Sequence, residues 1–105
     1  MKLYDLEPSG NCYKVRLFAA LAGLPLEIEA VDFLAGEHKG ERLSALNPWG
    51  ELPILEDGKL VLRDSQAILV YLAGRYGGEA WWPGEAHLQG EVMQWLSVAA
   101  NEIQH

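Results

Sequence analysis

Asn47-Pro48-Trp49-Gly50-Glu51-Leu52-Pro53-Ile54-Leu55, followed by Asp64-Ser65-Gln66-Ala67-Ile68, decides how this chain is read. A proline inside an apolar segment has no N–H for a sheet ladder. Pro53 therefore belongs at a strand start, a bulge or a cis turn. Backbone kept off its neighbours at that point is free to pair with an extended peptide. Downstream, Asp64-Ser65 opens a periodic helix, and a helix N-terminus attracts a carboxylate. A pairing edge beside a carboxylate pocket describes a receptor for a small acidic peptide.

Outward from this stretch, Asp57-Gly58 lies between two short apolar runs and predicts a hairpin with strands at 53–56 and 59–62. The helix opened by Ser65 is expected to reach Tyr76, with Ile68, Leu69, Tyr71 and Leu72 inward and Gly77-Gly78 as its stop. On the other side, Lys2-Leu3-Tyr4-Asp5-Leu6 reads as a strand and Glu7-Pro8-Ser9-Gly10 as a turn. Asn11 is positioned to cap a helix to about Leu21, burying Val15, Phe18, Ala19 and Leu21 or Ala22. Gly23 ends it, with Pro25 just beyond. Residues 26–31 alternate strictly and predict a second strand with one wet face. The polar segment 35–46 predicts a loop with a short helix.

Residues 79–84 form a connection that Trp81 and Trp82 are expected to pin, and Trp49 is read as packing as well. A last helix begins near Glu85, where Leu88, Val92, Trp95, Leu96, Ala99 and Ile103 recur at helical spacing. Nothing in the sequence covers that stripe, so the chain reads as the front part of a longer protein. The order is βαβ, a loop region, ββ, α and a connected helix. A βαβ unit implies parallel strands and a hairpin adds antiparallel ones. The fold expected is a four-stranded mixed sheet with helices on both faces.

The 105 residues suit one small domain. Half are hydrophobic and 22% are charged, an ordinary globular balance. A net charge of −7 argues against a nucleic-acid partner and against an anionic membrane surface. Cys12 is the single cysteine, so no intrachain disulfide forms. No run is long enough to span a membrane, and the cytoplasm is the expected location.

Element order, the proline at the third strand and the Asp-Ser helix start together resemble the glutathione transferases. The resemblance covers residues 1 to about 80 and rests on three stretches, Ser9 to Arg16, Asn47 to Leu55 and Leu62 to Leu72. It implies a thioredoxin-like, glutathione-binding domain at 1–78 and an interdomain linker at 79–84. Residues 85–105 would be the first helix of a C-terminal helical domain otherwise absent from the chain. It also implies a cis Pro53, with the Leu52 main chain bonded to the cysteinyl part of glutathione. Ser65 would bind the γ-glutamyl carboxylate and Asp64 would lie near the γ-glutamyl amino group. His38 would reach the glycine carboxylate, with Lys39 competing for that role. The pattern commonly has a basic or neutral polar residue where this chain has Glu51.

The turn Ser9-Gly10-Asn11-Cys12 would then receive the glutathione sulfur. Unpaired N–H groups point outward at a helix start. A hydroxyl bond to a charged partner contributes about 1.5–3 kcal/mol, and the helix terminus adds about 0.3–1 kcal/mol. At about 1.36 kcal/mol per unit, the thiol pKa would fall by about one to three units. That populates the nucleophilic thiolate near neutral pH. Ser9 is the first candidate for this activation, Asn11 the second and Cys12 the third. Each has a plainer role: Ser9 as a turn residue, Asn11 as a cap, Cys12 as a small buried hydrophobe and His38 as a solvated loop residue. The implied function is conjugation of glutathione, as co-substrate, to an electrophilic small molecule in a metal-free homodimeric enzyme. Two rivals are a glutathione-dependent disulfide oxidoreductase or peroxidase at the same site and a non-catalytic interaction module.

Overall fold

The computed structural model describes residues 1–99. The chain separates into two compact units, Met1–Leu69 and Val70–His105. That division falls inside a helix rather than in the connection 79–84.

The first unit is built on a sheet of four strands in the order β2-β1-β3-β4. Strand β1 is Lys2–Asp5, β2 is Glu27–Ala30, β3 is Ile54–Asp57 and β4 is Leu60–Leu62. Strands β1 and β2 run parallel, with Leu3 opposite Ile28. Strand β3 is antiparallel to β1, with Leu3 opposite Leu55 and Tyr4 opposite Ile54. The β3–β4 hairpin turns at Gly58-Lys59, with Asp57 already paired to Leu60, one residue later than the Asp57-Gly58 turn that the sequence predicts, and it pairs Leu55 with Leu62. The sheet is therefore mixed, and β2 is an edge. Strand β2 is shorter than expected, and its Ile28 is 44% exposed.

Side-chain alternation assigns the faces. Tyr4 and Ile54 share one face, where they pack with Val31 and with Leu43 of helix α2 (Glu41–Leu46). Leu46, Leu52 and Val61 complete that cluster. Leu3, Asp5 and Leu55 point the other way. On that side the Asp5 carboxylate is ion-paired with Arg16 of helix α1 (Gly10–Ala22). Arg16 also donates to the Glu7 carbonyl at 3.0 Å, tying the β1–α1 turn to the helix. Helices thus lie on both faces of the sheet.

Helix α1 buries Cys12, Val15 and Ala19, spaced one and two turns apart. Of the two alternatives for the last inward position, Leu21 is 64% exposed and Ala22 is half-buried, so the stripe continues through Ala22. The helix stops where Gly23 takes a left-handed φ of 70°, which costs glycine little. The Leu24 N–H then bonds the Ala19 carbonyl at 2.8 Å and closes the end.

Helix α3 spans Ser65–Tyr76 and crosses from the first unit into the second. Ile68 and Leu72 on it are fully buried, and Leu69 and Tyr71 are half-buried. In the second unit, Trp81 and Trp82 both donate from their backbone N–H to the Gly78 carbonyl, at 3.2 and 2.9 Å. Gly77 lies so close to Trp81 that a Cβ would approach the Trp81 Cβ at 2.7 Å. Helix α4 is Ala86–Val98 and contains no buried residue. Ile103, assigned to the same stripe from the sequence, lies outside the described residues. No helix among the described residues is long and apolar enough to cross a membrane.

Candidate functional site

Ser9, rather than Asn11, caps α1. Its Oγ accepts from the Cys12 N–H at 3.3 Å, and its carbonyl accepts from Tyr13 N–H at 2.9 Å. Asn11 had the right residue type, but it sits one residue inside the helix and is exposed. The cap and the plain turn reading are the same thing here. They leave the Ser9 hydroxyl proton free to be donated, because the bond to Cys12 uses only an oxygen lone pair.

Cys12 behaves differently from its neighbours. It is fully buried, and its Sγ accepts from the Leu6 N–H at 3.4 Å. Burial pushes its thiol pKa up, against the smaller lowering effect of the Leu6 and Ser9 hydrogen bonds. The thiol form is therefore favoured, which is the inert condition for a structural cysteine.

The loop before Pro53 is held by one buried side chain. Asn47 is 1% exposed; its Nδ2 donates to the Glu51 carbonyl at 3.0 Å and its Oδ1 accepts from the Trp49 N–H at 3.0 Å. Such an Asx turn satisfies backbone groups that a loop cannot pair by itself. Trp49 itself was expected to pack but is 75% exposed. The Leu52–Pro53 peptide is cis. Pairing of β3 with β1 begins only at Ile54, so Leu52 precedes the ladder. Its side chain packs on the Tyr4 face while its residue also borders a surface cleft.

That cleft measures about 340 Å³ and is lined by residues from three separate segments. Leu6 and Ser9 come from the β1–α1 turn. Phe33, His38 and Lys39 come from the segment after β2, where a single 3-10 turn spans Glu37–Lys39. Gly50, Glu51 and Leu52 come from the Asn47 loop. Gly50 adopts φ +68° and lies against the second segment; a Cβ there would sit 3.4 Å from Lys39 Cγ and 3.8 Å from His38 Cδ2.

His38 is not the solvated histidine that its polar loop implied. It is 8% exposed and stacks on Phe33, with ring centroids 4.0 Å apart and an interplanar angle of 13°. Its buried Nδ1 has no hydrogen-bond partner. An unpaired buried N–H is costlier than an unpaired lone pair, so the proton is best placed on Nε2. Phe33 was missed from the sequence. An aromatic five positions before a histidine in a polar segment was the available signal.

Asp64 and Ser65 do not border this cleft. Asp64 caps α3, its Oδ2 accepting from the Ala67 N–H at 3.1 Å, and Ser65 is buried. Their helix start does lie beside α1. Lys14 donates to Gln66 Oε1 at 3.3 Å, and burial lowers its pKa while the Asp64 charge opposes the fall. Among the expected site residues, Ser9, His38, Lys39 and Leu52 therefore share one cleft, with Pro53 buried directly behind Leu52. Asn11, Cys12, Asp64 and Ser65 stand at two helix starts. Among the described residues, no group of three or more His, Cys, Asp or Glu is arranged to hold a metal ion.

The sequence of residues 8–75 matches the family model for the glutathione S-transferase N-terminal domain. The chain belongs to the glutathione S-transferase family. It is 35% identical over 98 residues to glutathione S-transferase theta-2 of Rattus norvegicus, covering 92% of this chain and 39% of that protein. The corresponding protein of Homo sapiens is 36% identical over 98 residues, with the same shares covered. Among solved structures, human glutathione transferase theta-2 in complex with glutathione and an unknown ligand superposes with a TM-score of 0.87 at 34% identity. That match covers 98% of this chain and 43% of the human one. A possible glutathione S-transferase from Rhodopseudomonas palustris gives a TM-score of 0.87 at 38% identity, covering 97% of this chain and 49% of that one. The mixed sheet is thus the thioredoxin-like sheet of glutathione S-transferases. The chain spans less than half the length of these relatives.

Proposed function

We infer that this chain forms the glutathione-binding part of a glutathione transferase, with residues 1–78 as the binding domain, 79–84 as linker and 85–105 as the opening helix of a second domain. The observation that carries this reading is the convergence of Ser9, His38, Lys39 and Leu52 on one cleft from distant parts of the sequence. Leu52 supplies main-chain groups ahead of the strand ladder for the cysteinyl residue. His38 and Lys39 offer donors to the glycine carboxylate at one end. Asp64 and Ser65, at the start of α3, take the γ-glutamyl amino and carboxylate groups.

The sulfur then lies over the first turn of α1. Ser9 Oγ accepts from the Cys12 N–H, which leaves its own proton for the sulfur; a hydroxyl polarised by one bond donates more strongly in the next. Asn11, exposed on the same turn, is the alternative donor. The stabilised thiolate attacks an electrophilic small molecule, the second substrate. Burial of Cys12 with a raised pKa weighs against the disulfide-exchange reading. The reading also implies a cytoplasmic homodimer with glutathione as co-substrate.

The test is a thiolate titration of bound glutathione by ultraviolet absorbance, in the unaltered chain and in Ser9→Ala. Loss of a hydrogen bond to a charged acceptor, about 1.5–3 kcal/mol, raises the bound thiol pKa by about one to two units. Cys12→Ala leaves it unchanged. The reverse pattern would transfer the role to Cys12, and failure of glutathione to bind would end the reading.

A further inference from the structure

Glu51 borders the cleft, and its carboxylate has no role in the glutathione-site reading above. Asn47 holds its backbone carbonyl, and Gly50 packs the preceding residue against His38 and Lys39. Glu51 therefore leaves the chain one residue from that pair, and all three border the same opening. Among the described residues, neither the Glu51 carboxylate nor the Lys39 ammonium is within ion-pair distance of an opposite charge. Both side chains are exposed. An uncompensated cation and an uncompensated anion thus share one subsite, beside an imidazole with an unmet hydrogen bond at Nδ1.

Glutathione ends in glycine, which brings a single carboxylate here. Lys39 attracts it and Glu51 repels it, within a chain whose net charge is already −7. A third residue with a basic side chain meets both charges, its carboxylate toward Lys39 and its cation toward Glu51. We propose that Glu51, acting with Lys39, makes this cleft select γ-glutamyl-cysteinyl thiols whose third residue carries a basic side chain over glutathione itself. This specificity rests on the glutathione-site reading above. An exposed pair contributes modestly, at most about fivefold in affinity, and it weakens with salt.

The experiment is an NMR and calorimetric titration of the 105-residue chain with glutathione and with γ-glutamyl-cysteinyl-lysine, at low and high salt. The unaltered chain binds the lysine peptide about two- to fivefold more tightly at low salt, and the preference shrinks as salt is added. Glu51→Gln abolishes the preference and Glu51→Lys reverses it; the residue is exposed, so both variants retain the fold by circular dichroism. Equal affinities in the unaltered chain, or a preference that survives Glu51→Gln, would overturn the proposal. If both peptides bind with shifts at Ser9 and Leu52 but without preference, this inference alone fails. If neither binds saturably, the glutathione site fails with it.

Discussion

Helices α1 and α4 have the same length of 13 residues and meet different fates. Helix α1 buries Cys12, Val15 and Ala19, whereas α4 buries none of its residues and leaves Trp95 70% and Met93 41% exposed. Judged by spacing alone, α4 has the longer apolar stripe. Periodicity shows that a helix has a face to bury; it does not show what covers that face. Helix α1 is anchored because its neighbours in sequence are strands of its own sheet, and because Arg16 meets the nearly buried Asp5 carboxylate across the turn.

The contrast breaks most visibly if that anchor is cut. Arg16→Ala strands the Asp5 carboxylate away from water without its partner, a loss of about 3 kcal/mol. Urea unfolding followed by circular dichroism measures it, and a change below about 1 kcal/mol would mean that packing alone holds α1. The other face of the sheet is tested by pH. The Tyr4 hydroxyl donates to Glu56, and burial followed by that acidic partner pushes its pKa up to about 12. A raised pKa in the folded state means the protonated phenol is what the fold favours. Its contribution is complete below the ordinary tyrosine value of about 10 and is lost as pH rises through about 12. A phenolate absorbance titration is expected to show one tyrosine ionising well above the others, and Tyr4→Phe to remove that step. The smallest effect belongs to α4. Trp95→Ala changes the stability of this chain by less than about 0.5 kcal/mol, as for other exposed sites. A larger loss in the same unfolding assay would show that the stripe is covered.

The fold was legible wherever local chemistry decides it. Asp57-Gly58 announced the hairpin, Gly23 the end of α1, and Asp64-Ser65 the start of α3. These are choices made within a few residues, by φ preference or by a side chain bonding nearby backbone. The cap of α1 was misplaced by two residues because Ser9 and Asn11 are both competent caps, and only backbone geometry chooses between them. His38 was misjudged more deeply. Phe33, five positions earlier, was the one nearby signal for the cover on its ring, and nothing near it in sequence reveals that Gly50 closes over it from a loop beyond α2.

The amino-acid sequence by itself determined the order of the elements, the cis-compatible proline ahead of β3, and the residue types at each helix start, since these depend on local sterics and hydrogen bonding. Only the tertiary structure decided that Ser9, His38, Lys39, Glu51 and Leu52 face one opening, and that Cys12 is withdrawn from it. The physical reason is that burial and the sharing of a cleft depend on contacts between distant segments, which spacing along the chain does not encode.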